Sequence, residues 1–191
     1  MATPLSKFLT LEEFCTCTDT YKMFKDEVSP YPQTKETLEA LRDLSSKIID
    51  PVIARYGVAR FSLVYGFCSN DLRKRLQRKN PTTGKPYGRV APGADQHMAH
   101  EVKASGEPFC ARVGAACDFK IQGENTRNVI KWMIESRFPF DRIYYYGPDR
   151  AVHVSYGPEH SRYLCAFNSA NVPEQKSVKD LIELIKARYK E

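Results

Sequence analysis

The chain has 191 residues, a formal net charge of +6 and a pI near 9.0. At 42% hydrophobic and 12% aromatic residues it can build one sizeable core, which excludes a disordered or low-complexity chain. No run of about eighteen apolar residues and no signal-like stretch in residues 1–7 is present, so the expectation is a soluble, cytoplasmic protein with no membrane span.

In chain order, Leu38, Leu41, Leu44, Ile48 and Val52 recur at steps of three or four, predicting a helix over residues 34–50 with one apolar face, ended by Pro51. Residues 60–67, 115–121, 142–146, 151–156 and 162–167 read as strands: short, rich in β-branched or aromatic residues, and bounded by Gly, Pro or Asn. Residues 125–136 carry Val129, Ile130, Trp132 and Met133 at helical spacing. Residues 177–189 do the same with Val178, Leu181, Ile182, Ile185 and Tyr189, opened by a Ser177/Asp180 capping box. Tyr146-Gly147-Pro148-Asp149 is a turn, so the strand bearing His153 is one arm of a hairpin. No linker or repeat divides the chain, which predicts a single α+β domain over residues 1–191: a small antiparallel sheet with flanking helices.

The six cysteines (Cys15, Cys17, Cys68, Cys110, Cys117, Cys165) contain no C-x-x-C pair, and without an export signal they read as reduced thiols, most of them core residues. Of the metal-binding residue types, His97 in Asp95-Gln96-His97, Asp118 closing Gly114-Ala115-Ala116-Cys117-Asp118, and His153 in Val152-His153-Val154-Ser155 are the most informative. Two imidazoles and one carboxylate are the donors of a catalytic zinc site, which keeps one coordination position for water.

The order His, Asp, His and the words around it resemble the D-Ala-D-Ala carboxypeptidase-like zinc peptidases, the group that includes the Hedgehog signalling domain. Gln96-His97 and Gly114-Ala115-Ala116-Cys117-Asp118 match the two ends of that family's S-x-H-x-x-G-x-A-x-D pattern. The resemblance extends to an entry helix at Leu9-Thr10-Leu11-Glu12-Glu13-Phe14, the helix that runs up to Val52, and a strand and turn at residues 60–69. It implies the Hedgehog/DD-peptidase fold, zinc on His97, Asp118 and His153, and hydrolysis of an amide bond in peptidoglycan stem peptides, in an endolysin-like role.

Three departures matter. Asp118 follows His97 by 21 positions, much further than in the family pattern, so a loop around residues 101–112 is inserted and His100 competes as first ligand. The family's general base lies a few residues before the second histidine, which points to Asp149; a longer spacing would fall on Tyr146 or Gly147. Cys68 stands where the carboxypeptidases have the Arg of S-G-Y-R-S that grips a substrate carboxylate, and Arg60, Arg73 or Arg75 are the cations that could reach the same space. His160 reads as a solvated loop residue.

Residues 72–88 are rich in base (Arg73, Lys74, Arg75, Arg78, Lys79, Lys85) and would attract an anionic polymer such as nucleic acid, or else form a solvated loop. Of Tyr144-Tyr145-Tyr146, alternation sends Tyr145 to the face opposite its neighbours, into a core. The alternative to a peptidase is therefore a diverged domain of the same fold that keeps the metal and acts on or binds an anionic polymer.

Overall fold

Side-chain caps open most of the helices. The Thr10 hydroxyl accepts the Glu13 amide while Glu13 Oε2 accepts the Thr10 N–H, and this reciprocal box starts α1 (Leu11–Thr16). Thr18 caps α2 (Asp19–Phe24) and Thr34 caps α3 (Lys35–Leu44) through the amides of Tyr21 and Thr37. The computed structural model describes residues 2–88, 93, 96–167, 172–177, 179–180 and 183.

The helix expected over residues 34–50 does not stop at Pro51. It widens into a π turn, Ser45–Ile49, in which the Asp50 N–H donates to the Ser45 carbonyl, and resumes as α4 (Asp50–Tyr56) with Pro51 in its first turn. In a first turn the missing amide of proline is not needed, and the wider turn moves away the carbonyl its ring would strike. Leu41, Leu44, Ile48, Ile49 and Val52 are all fully buried along this composite helix.

Six strands follow in one sheet: β1 (Phe61–Tyr65), β2 (Ala115–Ile121), β3 (Arg142–Tyr145), β4 (Val152–Tyr156), β5 (Tyr163–Phe167) and β6 (Pro173–Lys176), ordered β1-β2-β4-β3-β5-β6. Between β1 and β2 lies α5 (Asn70–Gln77), capped by Ser69, and between β2 and β3 lies α6 (Thr126–Glu135), capped by Asn125. The α+β reading holds, and the predicted β3/β4 hairpin is formed, with Arg142 opposite Ser155 and Tyr145 opposite Val152.

The sheet is mixed rather than wholly antiparallel, because β5 runs parallel to β3. Both edges of β4 are already taken by β2 and β3, so β5 passes its neighbour in sequence and adds to the free side of β3. Short, polar β6, which begins with a proline, then closes that edge.

One face of the sheet makes the main core. Cys117, Phe119, Ile143, Tyr145, Val152, Val154, Leu164 and Ala166 pack with Leu41 and Leu44 of α3 and with Val129, Ile130 and Met133 of α6. Tyr145 is in that core as alternation requires, and its hydroxyl accepts from Nε of the buried Arg127 at 2.6 Å. A second, smaller cluster joins Phe24, Cys68, Leu72, Leu76 and Met98.

The basic segment is not simply a solvated loop. Leu72 and Leu76, one turn apart, are the buried stripe of α5, and Arg75 lies over the paired rings of Phe24 and Tyr87 while pairing with Glu27 at 2.7 Å. Among the described residues no helix is long and apolar enough to cross a membrane. Of the helix expected over residues 177–189, most lies outside the described residues; its Ser177 and Asp180 do hydrogen-bond each other's amides, as a capping box requires.

Candidate metal centre

The other face of the sheet carries a row of side chains set by strand register. Tyr65 on β1 lies opposite Asp118 on β2, Asp118 opposite His153 on β4, His153 opposite Tyr144 on β3, and Tyr144 opposite Cys165 on β5. A β-bulge after Leu63 sets the first of these pairings. His153 Nδ1 is 2.8 Å from Asp118 Oδ1, and Tyr144 stacks flat on the His153 ring at a centroid distance of 4.5 Å.

His97 comes to this row from outside the sheet. It belongs to a tight turn in which Gln96, Met98, Ala99 and Glu101 are all buried, with Ala99 in the left-handed region at φ 48°. Met98 is fixed in the second apolar cluster, and the Cys68 N–H donates to the His97 carbonyl at 2.9 Å. The Gly66 carbonyl sits 2.9 Å from His97 Nδ1, which fixes that nitrogen as the donor and leaves the Nε2 lone pair facing Asp118 at 3.6 Å. The donor atoms of His97, Asp118 and His153 all lie within 4.8 Å of one another, close enough to share one metal ion.

The donor set suits a divalent cation. Burial alone would raise the Asp118 pKa, but the two imidazoles outweigh it and hold the carboxyl well below the usual carboxylate range. An ionised carboxylate is the form in which Asp118 can serve as the anionic donor to a cation.

His100 lies outside this cluster. Its Nε2 accepts the Gly114 N–H at 3.2 Å, and it lines a separate groove with Glu36, Asp43 and Tyr156. Gly114 explains part of the motif: its φ is +115°, and a Cβ there would lie 2.3 Å from the Tyr156 carbonyl oxygen, so only glycine lets the chain enter β2 this close to β4.

The segment between His97 and Asp118 folds back on itself. Val102 bridges Pro108, the Phe109 N–H returns to the Glu101 carbonyl, and the Glu101 carboxylate accepts from the Gln33 amide and the Thr37 hydroxyl beside α3. Long spacing in sequence thus becomes short spacing in space.

Asp149 is not brought to the cluster. It is exposed in the β3–β4 turn and lines a cleft with Arg60, Ser62, Lys120 and Gln122, and it is not among the donor groups that lie within 4.8 Å of one another. His160 is exposed at φ 43°, as a loop residue, with its ring near the Pro139 carbonyl. Cys117 is fully buried on the core face. All six cysteines are free thiols, and burial raises Cys15 to about 12 and Cys17 to about 11.

The three arginines expected to replace the missing guanidinium are elsewhere. Arg60 lies against Glu124 and the Gln122 carbonyl, Arg73 against Asn70 and Gln77, and Arg75 against Glu27. A cation on this face is Arg142, which sequence reasoning missed although strand alternation places it on the same face as Tyr144.

Comparison with protein-family models, with curated proteins and with solved structures finds no match.

Proposed function

We propose that the chain is a zinc-dependent amide hydrolase of the D-Ala-D-Ala carboxypeptidase-like kind, with the Hedgehog/DD-peptidase fold, acting on peptidoglycan stem peptides. The observation that carries this reading is the three-donor cluster of His97, Asp118 and His153. Three protein ligands are the number used by catalytic zinc, whereas structural zinc sites are filled by four. A bound zinc would supply an acidified water and polarise the scissile carbonyl.

The chain's own part is to orient these ligands. Gly66 fixes the His97 tautomer, Tyr144 holds the His153 ring by stacking, and cross-strand register sets the Asp118 carboxylate against His153. Asp149 has no part in proton transfer on this geometry. Asp149→Asn is therefore expected to leave turnover within about threefold of wild type, where loss of a general base would lower it by about 10²–10⁴.

The test is hydrolysis of synthetic stem peptides by the zinc-loaded protein, followed by chromatography, beside His153→Ala. Cleavage lost in the variant supports the reading; no cleavage by a fully zinc-loaded wild type sinks it. A second reading has one observation in its favour: among the described residues, no other carboxylate joins the donor cluster. A domain that binds metal but does not cleave peptides, with exposed Lys74, Arg78, Lys79 and Lys85 meeting an anionic polymer, would show zinc without turnover and salt-sensitive nucleic-acid binding.

A further inference from the structure

One pleat along from the ligand row runs a second row on the same face: Ala116 on β2, Ser155 on β4, Arg142 on β3 and Tyr163 on β5. Arg142 has aromatic neighbours on this face. Its guanidinium lies over the Tyr163 ring at 4.4 Å, and its charge acts on the hydroxyl of Tyr144, the ring stacked on His153.

Among the described residues it forms no ion pair with a carboxylate, and its Nε has no hydrogen-bond partner. Directly across the ladder, the fully buried Ser155 likewise has a hydroxyl with no partner. Arg112 adds positive charge beside the Tyr144 hydroxyl. A half-buried guanidinium, immobilised by an aromatic face and left without a counter-ion, is pre-organised for a planar anion, since the fork matches a carboxylate bidentately and little side-chain freedom remains to be lost.

We propose that Arg142 is the specificity-determining residue of this site and receives a carboxylate of the peptide substrate, doing from β3 what Cys68 cannot do from the turn after β1. The inference rests on the hydrolase reading for the identity of the ligand, but not for its test.

The full chain, supplied with zinc, is titrated by NMR with N-acetyl-D-alanine and, separately, with N-acetyl-D-alaninamide, which differ only in the charge of the terminal group. Wild type is expected to bind the acid at least about tenfold tighter than the amide. Arg142→Gln is expected to weaken acid binding about 10–100-fold and leave the amide unchanged. Arg142→Lys, which keeps the charge but not the fork, is expected to fall between the two and carries the test if Arg142→Gln does not fold. Arg73→Gln is the control and is expected to behave as wild type.

Equal binding of acid and amide by wild type overturns the proposal, as does a preference for the acid that persists in both Arg142 variants. Turnover of stem peptides is scored separately. An Arg142-dependent preference in a protein that never cleaves would remove the hydrolase reading and leave the subsite standing, and cleavage without the preference would do the reverse.

Discussion

Asp118→Ala is expected to leave the protein without bound zinc, where wild type holds about one ion per chain as a three-ligand site allows. The carboxylate is the one anionic donor among the three, and its loss leaves two neutral imidazoles that cannot offset the charge of the ion. Elemental analysis after dialysis reads the result directly. His97→Ala and His153→Ala are expected to lose the ion as well, while His100→Ala keeps it, because His100 is occupied with the Gly114 amide. Retention of zinc by Asp118→Ala would show that the ion is held elsewhere.

The same experiment has a thermal readout. With zinc at a hundred times its dissociation constant, wild type gains about 2.7 kcal/mol, which raises Tm by roughly 5–10 °C in a chain of this size, and Asp118→Ala should show no such shift. The pH dependence follows from the carboxyl. Because the folded pKa of Asp118 is depressed, its contribution to the stability of the metal-free protein is fully present above the unfolded carboxylate value. That contribution is lost as pH falls through the lower folded value. A urea titration of the metal-free protein at successive pH values reads that loss.

Gly66→Ala is expected to damage fold and site together. A Cβ at this position would lie 2.0 Å from the Phe14 carbonyl oxygen, a backbone atom that has no side-chain freedom with which to move aside. That same oxygen accepts the Phe67 amide, and the Gly66 carbonyl orients His97. Forcing the segment away from α1 should therefore cost about 2–4 kcal/mol, roughly 5–15 °C in Tm. It should also lower zinc affinity by about 10–100-fold, as loss of an orienting partner does. A thermal melt and a competitive zinc titration check both parts; wild-type affinity in the variant would mean that the carbonyl does not orient His97.

Much of the architecture was legible because it is local. Period-two alternation places β2, β3 and β4, turn chemistry joins β3 to β4, and the apolar stripe through Leu41 and Ile48 marks the long helix. What escaped is either short or non-local. In α5 two buried leucines among many charges give too weak a stripe to separate from a basic surface, and β6 has no apolar residue but its proline. The parallel pairing of β5 with β3 depends on which strand edges are already occupied, a property of the assembled sheet.

The site divides in the same way. Asp118 and His153 could be recognised on their strands, but the choice of His97 over His100 depends on a turn packed against two apolar clusters. Asp149 was reached by counting residues back along an extended chain, whereas it lies in the turn before β4, in a cleft with Arg60 and Lys120.

The excursion between the first two ligands has a consequence for how the protein tolerates change. Its base is closed by the Val102–Pro108 bridge and tied to α3 through Glu101, while its tip, Ala104 to Gly106, is exposed. Growth or shortening at that tip is mechanically insulated from His97 and Asp118, since each doubling of a flexible loop adds only about 0.6 kcal/mol of closure entropy. The tip is thus a permissive point at which a reporter, an affinity tag or a further recognition element could be grafted without disturbing His97 and Asp118.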